Sequence, residues 1–521
     1  MKEINILKFE LFKIKMSRIT KMVEYICPKC GKVFTQRSHY NKHLNRKTPC
    51  DKGKKKFDEV VKEKVKEEIK DMVENGEIKV IEKKKVKYDI RGKVYFGTIT
   101  INEMDTIKKR IKVVHEDGSI KLIPRGKIDF IEDNPMKFID LFSGIGGFHQ
   151  ALTDLGCECN LACDVDKACR EAYKENYGMD PHPDVRKIIP EEIEDMDIIC
   201  GGFPCQAFSN AGNKKTFEDD RGLLFDEIMR IAKVKKPKFM FLENVKHILK
   251  VGEGKVIEYI KGKLDHCGYV VQIFEISPHQ YGIPQQRERV YFVCVRKDIY
   301  NGEDIVLPEP TFNVDFESVL DKEEDIDDKY FINGDILQCL EAWDEMIKIF
   351  DVDEKISPTI MINEHYNEHT EEEFNNYAGW RKDYITKNKP LISKYKDKWD
   401  EWYEKHVEIL QKREVYGKLE WQVGKIKPND SIFNYFIQVR QSGIRVKKAH
   451  HFPTLVAVVQ TPIYGKEKRY ITPRECARLQ SFPESFILPK DDKKAYKQFG
   501  NAVNVDNVRT VVKTTFDHYG V

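Results

Sequence analysis

The sequence predicts an α/β protein whose main domain is a doubly wound, mostly parallel sheet. From residue 137 onward, short apolar runs alternate with helix-like segments, which is the pattern of parallel strands covered by helices on both faces. Residues 301–466 break this alternation with charged and aromatic sequence that holds all five tryptophans, which indicates a smaller irregular domain. Residues 25–50 place three cysteines and a histidine at metal-ligand spacing, which indicates a compact N-terminal unit.

The alternating elements follow one another along the chain. Strands are predicted over Phe138–Phe142, Asn160–Cys163, Asp197–Phe203, Phe239–Leu242, Val270–Ile276 and Val290–Val295. Helices are predicted over Gly147–Leu155, Lys167–Tyr177, Leu223–Ala232 and Val256–Leu264, and the Lys/Glu/Tyr/Trp-rich stretch 376–413 is also predicted to be helical. Ligands of such sheets bind outside the carboxyl ends of the strands, so the residues that follow each strand are the candidates for a site.

Shifts in composition divide the chain into segments. We expect an extension at 1–24, the Cys/His unit at 25–50, a charged linker or helix at 51–85, a small β module at 86–134, the main domain at 135–300, the irregular domain at 301–466, and a segment at 467–521 that returns to the main domain.

Composition argues against several classes of protein. No apolar run approaches the ~20 residues needed to span a bilayer, and we expect no secretory signal because the N-terminus lacks an uninterrupted apolar run. Thirteen scattered cysteines favour a reducing, intracellular compartment over a disulfide framework. The net charge of +3 hides an asymmetry, because residues 1–135 carry 34 Lys and Arg against 21 Asp and Glu. A basic arm indicates a polyanionic partner, although a solvated linker has the same composition.

The N-terminal Cys/His unit has the spacing of a zinc finger. Its pattern is Cys27-x2-Cys30-x12-His43-x6-Cys50, and three thiolates with one imidazole complete a tetrahedral zinc site of C2HC type. Whether such a finger contacts DNA or only folds the terminus stays open at this point.

A glycine-rich turn follows the first strand of the main domain. It reads Phe142-Ser143-Gly144-Ile145-Gly146-Gly147, and glycines at a helix N-terminus let a ligand approach the backbone closely. The glycine spacing differs from that of the dinucleotide-binding fingerprint. Asp164 ends the second strand, where a carboxylate can accept hydrogen bonds from ribose hydroxyls.

A nucleophile, a carboxylate and a guanidinium follow later strands. Cys205 lies on a Gly/Pro-rich turn after the run Asp197–Phe203, Glu243 follows Phe239–Leu242, and Arg289 precedes Val290–Val295. A thiolate is the most nucleophilic side chain near neutral pH. The three groups together predict attack on a polarised ring.

These motifs, in this order, resemble the cytosine-C5 DNA methyltransferases of restriction–modification type. The resemblance covers about 137–300 and 467–521. It rests on six motifs: Phe142–Gly147, Pro204-Cys205-Gln206, Glu243-Asn244-Val245, Gln285-x-Arg287-x-Arg289, Arg474–Gln480 and Gly500-Asn501-Ala502-Val503. Two positions depart from the family pattern, since Asp164 stands where Glu is more frequent and Ala502 where Ser is common.

The resemblance implies the S-adenosylmethionine-dependent methyltransferase fold, with S-adenosylmethionine as methyl donor and double-stranded DNA as substrate. It implies that Cys205 adds to C6 of a flipped-out cytosine, that Glu243 holds N3 and the exocyclic amine, and that Arg289 holds O2. Arg287, in the same motif as Arg289, is implied to be a further catalytic residue. Cofactor contacts are implied for Phe142, Ser143, Gly144, Gly146, Gly147, Asp164, Asp184, Asn501 and Ala502. Residues 301–466 would be the target-recognition domain, in which Phe452–Ala457 resembles a Thr-Leu element.

Alternatives stay open. The nearest is an RNA cytosine-C5 methyltransferase on the same fold, which the large segment at 301–466 disfavours. A catalytically idle DNA-binding regulator is a second alternative, which the presence of Cys205, Glu243 and Arg289 disfavours. Methylation of an exocyclic amine is disfavoured because the chain has no adjacent prolines. A partner restriction endonuclease is possible, and no membrane partner is expected.

Overall fold

The computed structural model describes residues 135–204, 223–366, 370–457 and 460–521, together with the backbone of five strands between residues 83 and 130. The chain forms two compact units, which meet in sequence between Asn134 and Pro135. The predicted zinc ligands Cys27, Cys30, His43 and Cys50 and the predicted nucleophile Cys205 lie outside the described residues.

The described strands of the N-terminal unit form one antiparallel sheet. They are β1 (Lys83–Ile90), β2 (Lys93–Thr100), β3 (Arg110–Val114), β4 (Ile120–Pro124) and β5 (Ile128–Phe130), in the order β4-β3-β2-β1-β5. β1 and β2 pair along their whole length, from Lys83 opposite Thr100 to Ile90 opposite Lys93. This sheet lies where the alternating β-prone sequence predicts a small β module.

The main sheet of the second unit has six strands. They are β6 (Lys137–Leu141), β7 (Glu158–Cys163), β8 (Ile198–Gly202), β9 (Phe239–Val245), β10 (Tyr269–Ile276) and β11 (Arg289–Arg296), in the order β10-β11-β9-β8-β6-β7. β7, β6, β8 and β9 pair in parallel, and β11 is antiparallel to both of its neighbours. The predicted doubly wound, mostly parallel sheet is therefore confirmed, with one reversed strand.

Helices cover both faces of this sheet, which is why its central strands are almost wholly apolar. The first four helices are α1 (Gly147–Asp154), α2 (Lys167–Tyr177), α3 (Leu223–Lys235) and α4 (Lys255–His266). On one face, Ile228 of α3 and Ile260 of α4 pack in a core with Phe292 of β11. On the other face, Phe148 of α1 packs in a core with Phe241 of β9.

Residues 301–466 build a separate core beside the main sheet. The helices here are α5 (Gly334–Ile347), α6 (Asn363–Tyr366), α7 (Glu371–Asn376), α8 (Gly379–Lys394) and α9 (Lys396–Gln411). The strands are β12 (Thr359–Met361), β13 (Lys418–Gln422), β14 (Phe436–Arg440), β15 (Gly443–Lys447) and β16 (Ile463–Tyr464), and β17 (Arg469–Tyr470), just beyond residue 466, pairs with β16 in the same sheet. Trp343, Trp399, Trp402 and Trp421 lie in this core, so four of the five tryptophans serve packing. The helical prediction for 376–413 is confirmed by α8 and α9.

The C-terminal segment returns to the main sheet. It contains α10 (Pro473–Leu479), α11 (Asp492–Asn501) and α12 (Val505–Tyr519). Val508 and Val512 of α12 share a core with Phe241 and Val293 of the sheet. The irregular segment is therefore inserted between two parts of one α/β layer structure.

Candidate active site

The turn between β6 and α1 is fastened to the end of β7. Phe142 has a positive φ of 57°, which reverses the chain as it leaves the strand. The Ser143 N–H then donates to the Cys163 carbonyl at 3.0 Å, and the Gly144 N–H donates to Asp164 Oδ2 at 2.7 Å. Burial raises the pKa of Asp164, while the N–H groups of Asp166 and Gly144 lower it. Asp164 thus braces the turn and stands at the strand end where the sequence places it.

Glycine is favoured at each of the three positions of this turn for a different physical reason. Gly144, with φ +54°, has nothing within 4 Å of the position a Cβ would occupy. A Cβ on Gly146 would lie 2.3 Å from the Tyr177 ring, and one on Gly147 would lie 2.5 Å from Val503. Only Gly144 therefore leaves open space for a ligand, whereas Gly146 and Gly147 admit protein side chains.

Tyr177 is a residue that the sequence reasoning missed. Its hydroxyl donates to the Gly146 carbonyl at 3.1 Å, and its ring stacks on His149 with centroids 4.0 Å apart. His149 also bonds the Tyr173 hydroxyl at 2.6 Å, and burial lowers the pKa of His149 to about 4. The uncharged rings of His149, Tyr173 and Tyr177 therefore form a cluster that packs against the turn through Tyr177. Its only sequence signal is the amphipathic spacing of α2.

Asp184 stands close to Asp164 along the same sheet edge. His182 forms a parallel bridge with Cys163, and the Asp164 N–H donates to the His182 carbonyl at 3.0 Å. The Asp184 carboxylate pairs with the Arg186 guanidinium, Nε to Oδ1 at 2.9 Å, and this pairing lowers the pKa of Asp184. The two acids predicted to bind the cofactor are thus brought to one end of the sheet.

The strand that leads to Cys205 runs beside the strand that carries Glu243. Gly202 of β8 pairs with Glu243 of β9, and a Cβ on Gly202 would lie 3.3 Å from Glu243 Oε2. The Asn244 side chain donates to the Phe203 carbonyl at 2.9 Å, which holds the end of this turn. Pro204 is the last described residue of this turn and directly precedes Cys205 in sequence.

Glu243 and Arg289 form a direct ion pair. Arg289 Nε lies 3.0 Å from Glu243 Oε1, and the side chains are 14% and 11% exposed. Burial raises the pKa of Glu243, and the charges of Arg289 and Arg287 oppose that rise only in part. A carboxyl with a raised pKa exchanges a proton more readily near neutral pH than an exposed glutamate does.

Arg287 is placed differently from Arg289. It is buried, and its guanidinium donates to the carbonyls of Leu455 at 2.7 Å, Gly500 at 3.0 Å and Ala502 at 2.8 Å. Burial lowers its pKa to about 9. Arg287 therefore ties the loop before β11 to two segments far along the chain.

The motif Gly500-Asn501-Ala502-Val503 contacts two parts of the site, the turn after β6 and the end of β8. Val503 meets Gly147 on one side, and its Cγ1 lies 3.7 Å from the Cβ position of Gly202 on the other. Ala502 is buried, whereas Asn501 is exposed at the end of α11. Val503 thus contacts both the turn with the open glycine and the strand that leads to Cys205. It belongs to the motif that the sequence singles out, although it was not among the predicted site residues.

The Phe452–Ala457 segment packs on the loop before β11. The Gln286 N–H donates to the Phe452 carbonyl at 2.9 Å, and the Phe452 N–H donates to the Pro284 carbonyl at 2.7 Å. The Thr454 hydroxyl donates to the Gln286 carbonyl at 2.5 Å. The segment that resembles a Thr-Leu element therefore adds to the site instead of standing apart from it.

Comparison with known proteins bears on this arrangement. A family model described as C-5 cytosine-specific DNA methylase matches residues 136–517, which is most of the chain. This chain belongs to the C-5 cytosine-specific DNA methylase family. It is a DNA cytosine-C5 methyltransferase, as the motif resemblance predicts.

The relatives of this methyltransferase include type II enzymes. Type II methyltransferase M.HhaI of Haemophilus parahaemolyticus is 30% identical over 371 residues, covering 71% of this chain and 91% of the relative. Type II methyltransferase M1.ScrFI of Lactococcus lactis subsp. cremoris is 33% identical over 392 residues, covering 72% and 77%. Type II methyltransferase M.HpaII of Haemophilus parainfluenzae is 28% identical over 404 residues, covering 75% and 93%. These comparisons support the restriction–modification context.

The methyltransferase also has a predicted finger. A second family model, for C2H2 zinc fingers, matches residues 25–46. That range includes Cys27, Cys30 and His43 but ends before Cys50, so the C2HC assignment stays a prediction. Within the part of the chain that the structure describes, no group of three or more His, Cys, Asp or Glu side chains could hold a metal ion. In the same part, no helix is both long and apolar enough to cross a membrane.

Proposed function

We propose that this protein transfers a methyl group from S-adenosylmethionine to C5 of a flipped-out cytosine in a specific double-stranded DNA sequence, through a covalent adduct of Cys205. The observation that carries the proposal is the Glu243–Arg289 pair, with Nε and Oε1 3.0 Å apart, beside Gly202 of the strand that leads to Cys205. A carboxyl that exchanges a proton and a cation beside it, close to the turn that leads to Cys205, can stabilise a pyrimidine ring that gains electron density.

The turn after β6 fits the methyl donor. Gly144 has open space where a side chain would project, and the Ser143 hydroxyl is buried without a hydrogen-bond partner within the described chain. Val165, which is 80% exposed, follows Asp164 directly and offers an apolar surface beside a carboxylate. We propose that Phe142, Ser143 and Gly144 contact the donor. Asp164 and Asp184 would accept from its hydroxyl and amine groups, and Asn501 and Ala502 would border it.

Gly146 and Gly147 would serve the donor indirectly. They let Tyr177 and Val503 pack under the turn, which sets the position of the open Gly144. The bound S-adenosylmethionine supplies an electrophilic methyl group on its sulfonium.

The chemistry then follows from the side chains. Extrusion of the cytosine from the duplex exposes its ring faces. The Cys205 thiolate forms a bond to C6, and the displaced π electrons move toward N3 and C5. Glu243 holds the proton at N3, and Arg289 donates to O2, which stabilises the enamine. Methyl transfer to C5 would break the methyl–sulfur bond of the donor and leave it as a thioether. Loss of the C5 proton to a water molecule, with departure of the Cys205 thiolate, then restores the aromatic ring. We propose that Arg287 positions Arg289 through its carbonyl contacts.

The N-terminal region adds a binding function to this proposal. We propose that Cys27, Cys30, His43 and Cys50 bind one structural zinc ion, and that the basic residues 1–135 add affinity for DNA. We further propose an intracellular location, since genomic DNA is the substrate, and a partner restriction endonuclease, since the named relatives are type II enzymes.

Bisulfite sequencing of DNA from cells that express the protein tests the proposal directly. Wild-type protein should methylate one cytosine in every copy of a short sequence throughout the genome. Cys205→Ala should leave those copies unmethylated. Purified protein with tritiated S-adenosylmethionine should label DNA. Labelling of RNA alone would replace DNA with RNA as the substrate, and labelling by Cys205→Ala would contradict the covalent step.

A further inference from the structure

One face of the sheet in the recognition segment is polar. Strands β13, β15 and β14 are adjacent, with Glu420 opposite Arg445 and Gln438 opposite Arg445 from the other side. Because side chains alternate along a strand, the face with Glu420 and Arg445 also carries Gln422, Arg440 and Lys447. The opposite face is apolar and packs in the tryptophan core through Leu419, Trp421, Ile437, Ile444 and Val446.

The charges on this face are unbalanced. Arg445 binds Glu420 with both arms, Nε to Oε2 at 2.9 Å and Nη2 to Oε1 at 3.0 Å. Arg440 Nη1 lies 3.6 Å from the same Glu420 Oε2, which is beyond hydrogen-bond distance. Two guanidinium groups thus share one carboxylate, and Glu420 is already engaged by Arg445.

The side chain of Arg440 is largely withdrawn from water, yet one of its guanidinium nitrogens has no hydrogen-bond acceptor among the described residues. Its side chain is 27% exposed, and its Nη1 is buried with no acceptor among the described residues. Burial and the charge of Arg445 lower the pKa of Arg440, while Glu420 opposes them. A guanidinium with few acceptors is unfavourable away from water, so the part of Arg440 that still meets solvent favours a bound acceptor.

The polar face leads toward the candidate active site. Lys447, at the end of β15, bonds Gln286 of the loop that contains Arg287. Arg445 lies two residues back along the strand, and Arg440 lies across the hairpin, next to the exposed Gln441 and Ser442. Each residue of a strand advances about 3.3 Å, which is close to the ~3.4 Å rise of a base pair. The row Lys447–Arg445–Arg440 thus extends away from the loop that contains Arg287, and its length corresponds to a few base pairs of DNA.

We propose that Arg440 is a specificity-determining residue that donates Nε and Nη2 to N7 and O6 of a guanine in the DNA recognition sequence, while its buried Nη1 stays beside Glu420 and Arg445. The proposal rests on the DNA methyltransferase activity and adds which side chain reads the sequence. Guanine is the base whose major-groove edge accepts two hydrogen bonds from one guanidinium.

The experiment compares Arg440→Ala, Arg440→Gln and Arg440→Lys with wild type in the full-length protein. The control Lys425→Ala removes one positive charge outside β14 and β15, where Lys425 pairs with Asp353. The recognition sequence is first read from methylated genomic DNA. Steady-state kcat/KM is then measured on duplexes in which single guanines are replaced by 7-deazaguanine, which lacks N7.

The result expected is a loss of roughly 5- to 150-fold in kcat/KM for Arg440→Ala on the intact site, the range for one bidentate contact. One 7-deazaguanine position should weaken wild type yet cause no further loss in Arg440→Ala, and the methylated sequence should relax at that position. Arg440→Lys should behave like Arg440→Ala because it lacks the planar fork. Lys425→Ala should keep the wild-type pattern.

Other outcomes overturn the proposal. Equal weakening on every duplex, with rescue by Arg440→Lys, would make Arg440 a phosphate contact. Unchanged kcat/KM in Arg440→Ala would place Arg440 outside base recognition. So would a recognition sequence whose only guanine is the one paired with the target cytosine. If Arg440→Ala fails to fold, Arg440→Gln and the 7-deazaguanine series on wild type give the answer, and insensitivity of wild type at every guanine overturns the proposal. Failure of wild type to methylate DNA would instead overturn the proposed function itself.

Discussion

Arg289 and Glu243 face each other across two antiparallel strands, with Arg289 Nε 3.0 Å from Glu243 Oε1. In the register of β9 and β11, Arg289 pairs with Val245 and Tyr291 pairs with Glu243. The ion pair is therefore diagonal, and both side chains project from the same face of the sheet. Strand pairing alone brings the carboxyl and the guanidinium to the end of the strand that leads to Cys205.

The ion pair makes the pH dependence of turnover a test of Glu243. Arg289 lowers the pKa of Glu243 against the larger effect of burial, so Arg289→Gln should raise that pKa further. If the protonated carboxyl is the active form, activity falls as pH rises through the pKa, and this falling limb should move to higher pH in Arg289→Gln. The measurement is kcat against pH. An unmoved limb would assign the titration to another group.

Glu243→Gln should remove the proton-exchanging group and lower turnover by at least ~100-fold, as for a general acid–base residue. DNA binding should change much less, because the amide keeps its size and can still hydrogen-bond. Single-turnover rates and DNA affinity separate the two effects. Retained turnover would move the proton-donor role away from Glu243.

The covalent role of Cys205 predicts a specific trap. DNA with 5-fluorocytosine at the target should form a stable adduct with wild-type protein and S-adenosylmethionine. Release of Cys205 requires C5 to lose a proton, and fluorine cannot leave C5 as the corresponding cation. Cys205→Ala should form none, while keeping S-adenosylmethionine binding and thermal stability. Cys267→Ala, at a half-buried cysteine in the turn between α4 and β10, is the matched control and should trap normally. An adduct with Cys205→Ala would identify another nucleophile.

Substitutions at two glycines of the turn after β6 should separate effects on protein stability from effects on cofactor affinity. Gly146→Ala places a methyl group 2.3 Å from the Tyr177 ring at a φ of +87°, so the melting temperature should fall clearly. Gly144→Ala meets no protein atom within 4 Å, so its cost to folding should be about 1–2 kcal/mol for the left-handed backbone.

Titration calorimetry with S-adenosylmethionine completes this comparison. Gly144→Ala should lose cofactor affinity out of proportion to its small stability change, because the open space at Gly144 is where the cofactor is proposed to lie. Equal affinity in wild type and Gly144→Ala would move the cofactor away from this turn.

Arg287→Met should act mainly on stability. It leaves the carbonyls of Leu455, Gly500 and Ala502 without their buried donor, at about 1–3 kcal/mol for each unsatisfied group. Urea unfolding should show a loss of several kcal/mol. Arg289→Met, which breaks one ion pair nearer the surface, should lose turnover with a smaller stability change. Normal stability in Arg287→Met with lost turnover would make Arg287 catalytic, as the sequence motif predicts.

Removal of residues 1–85 should leave methyl transfer intact, because every proposed catalytic group lies beyond residue 137. DNA affinity should weaken and its salt dependence should flatten, since much of the positive charge is lost. The methylated sequence should not change. A changed sequence would show that the predicted finger reads bases. A 20–55 peptide should bind one zinc ion and be unfolded without it.

The sequence by itself determined the strand and helix order of the main domain, the family, and the residue types of the site. This was possible because alternating apolar runs, a glycine turn after a strand, and charged residues at strand ends each depend on local spacing. Phe138–Phe142, Gly147–Leu155 and Lys167–Tyr177 were all predictable within a few residues of β6, α1 and α2.

Only the tertiary structure decided what several of those residues do. Gly146 and Gly147 make room for Tyr177 and Val503, and the Arg287 guanidinium donates to the carbonyls of Leu455 and Ala502. The excess of positive charge formed by Arg440 and Arg445 around Glu420 depends on which strands pair. The physical reason is that a side chain's partners come from segments distant in sequence, and local spacing carries no information about which segments those are.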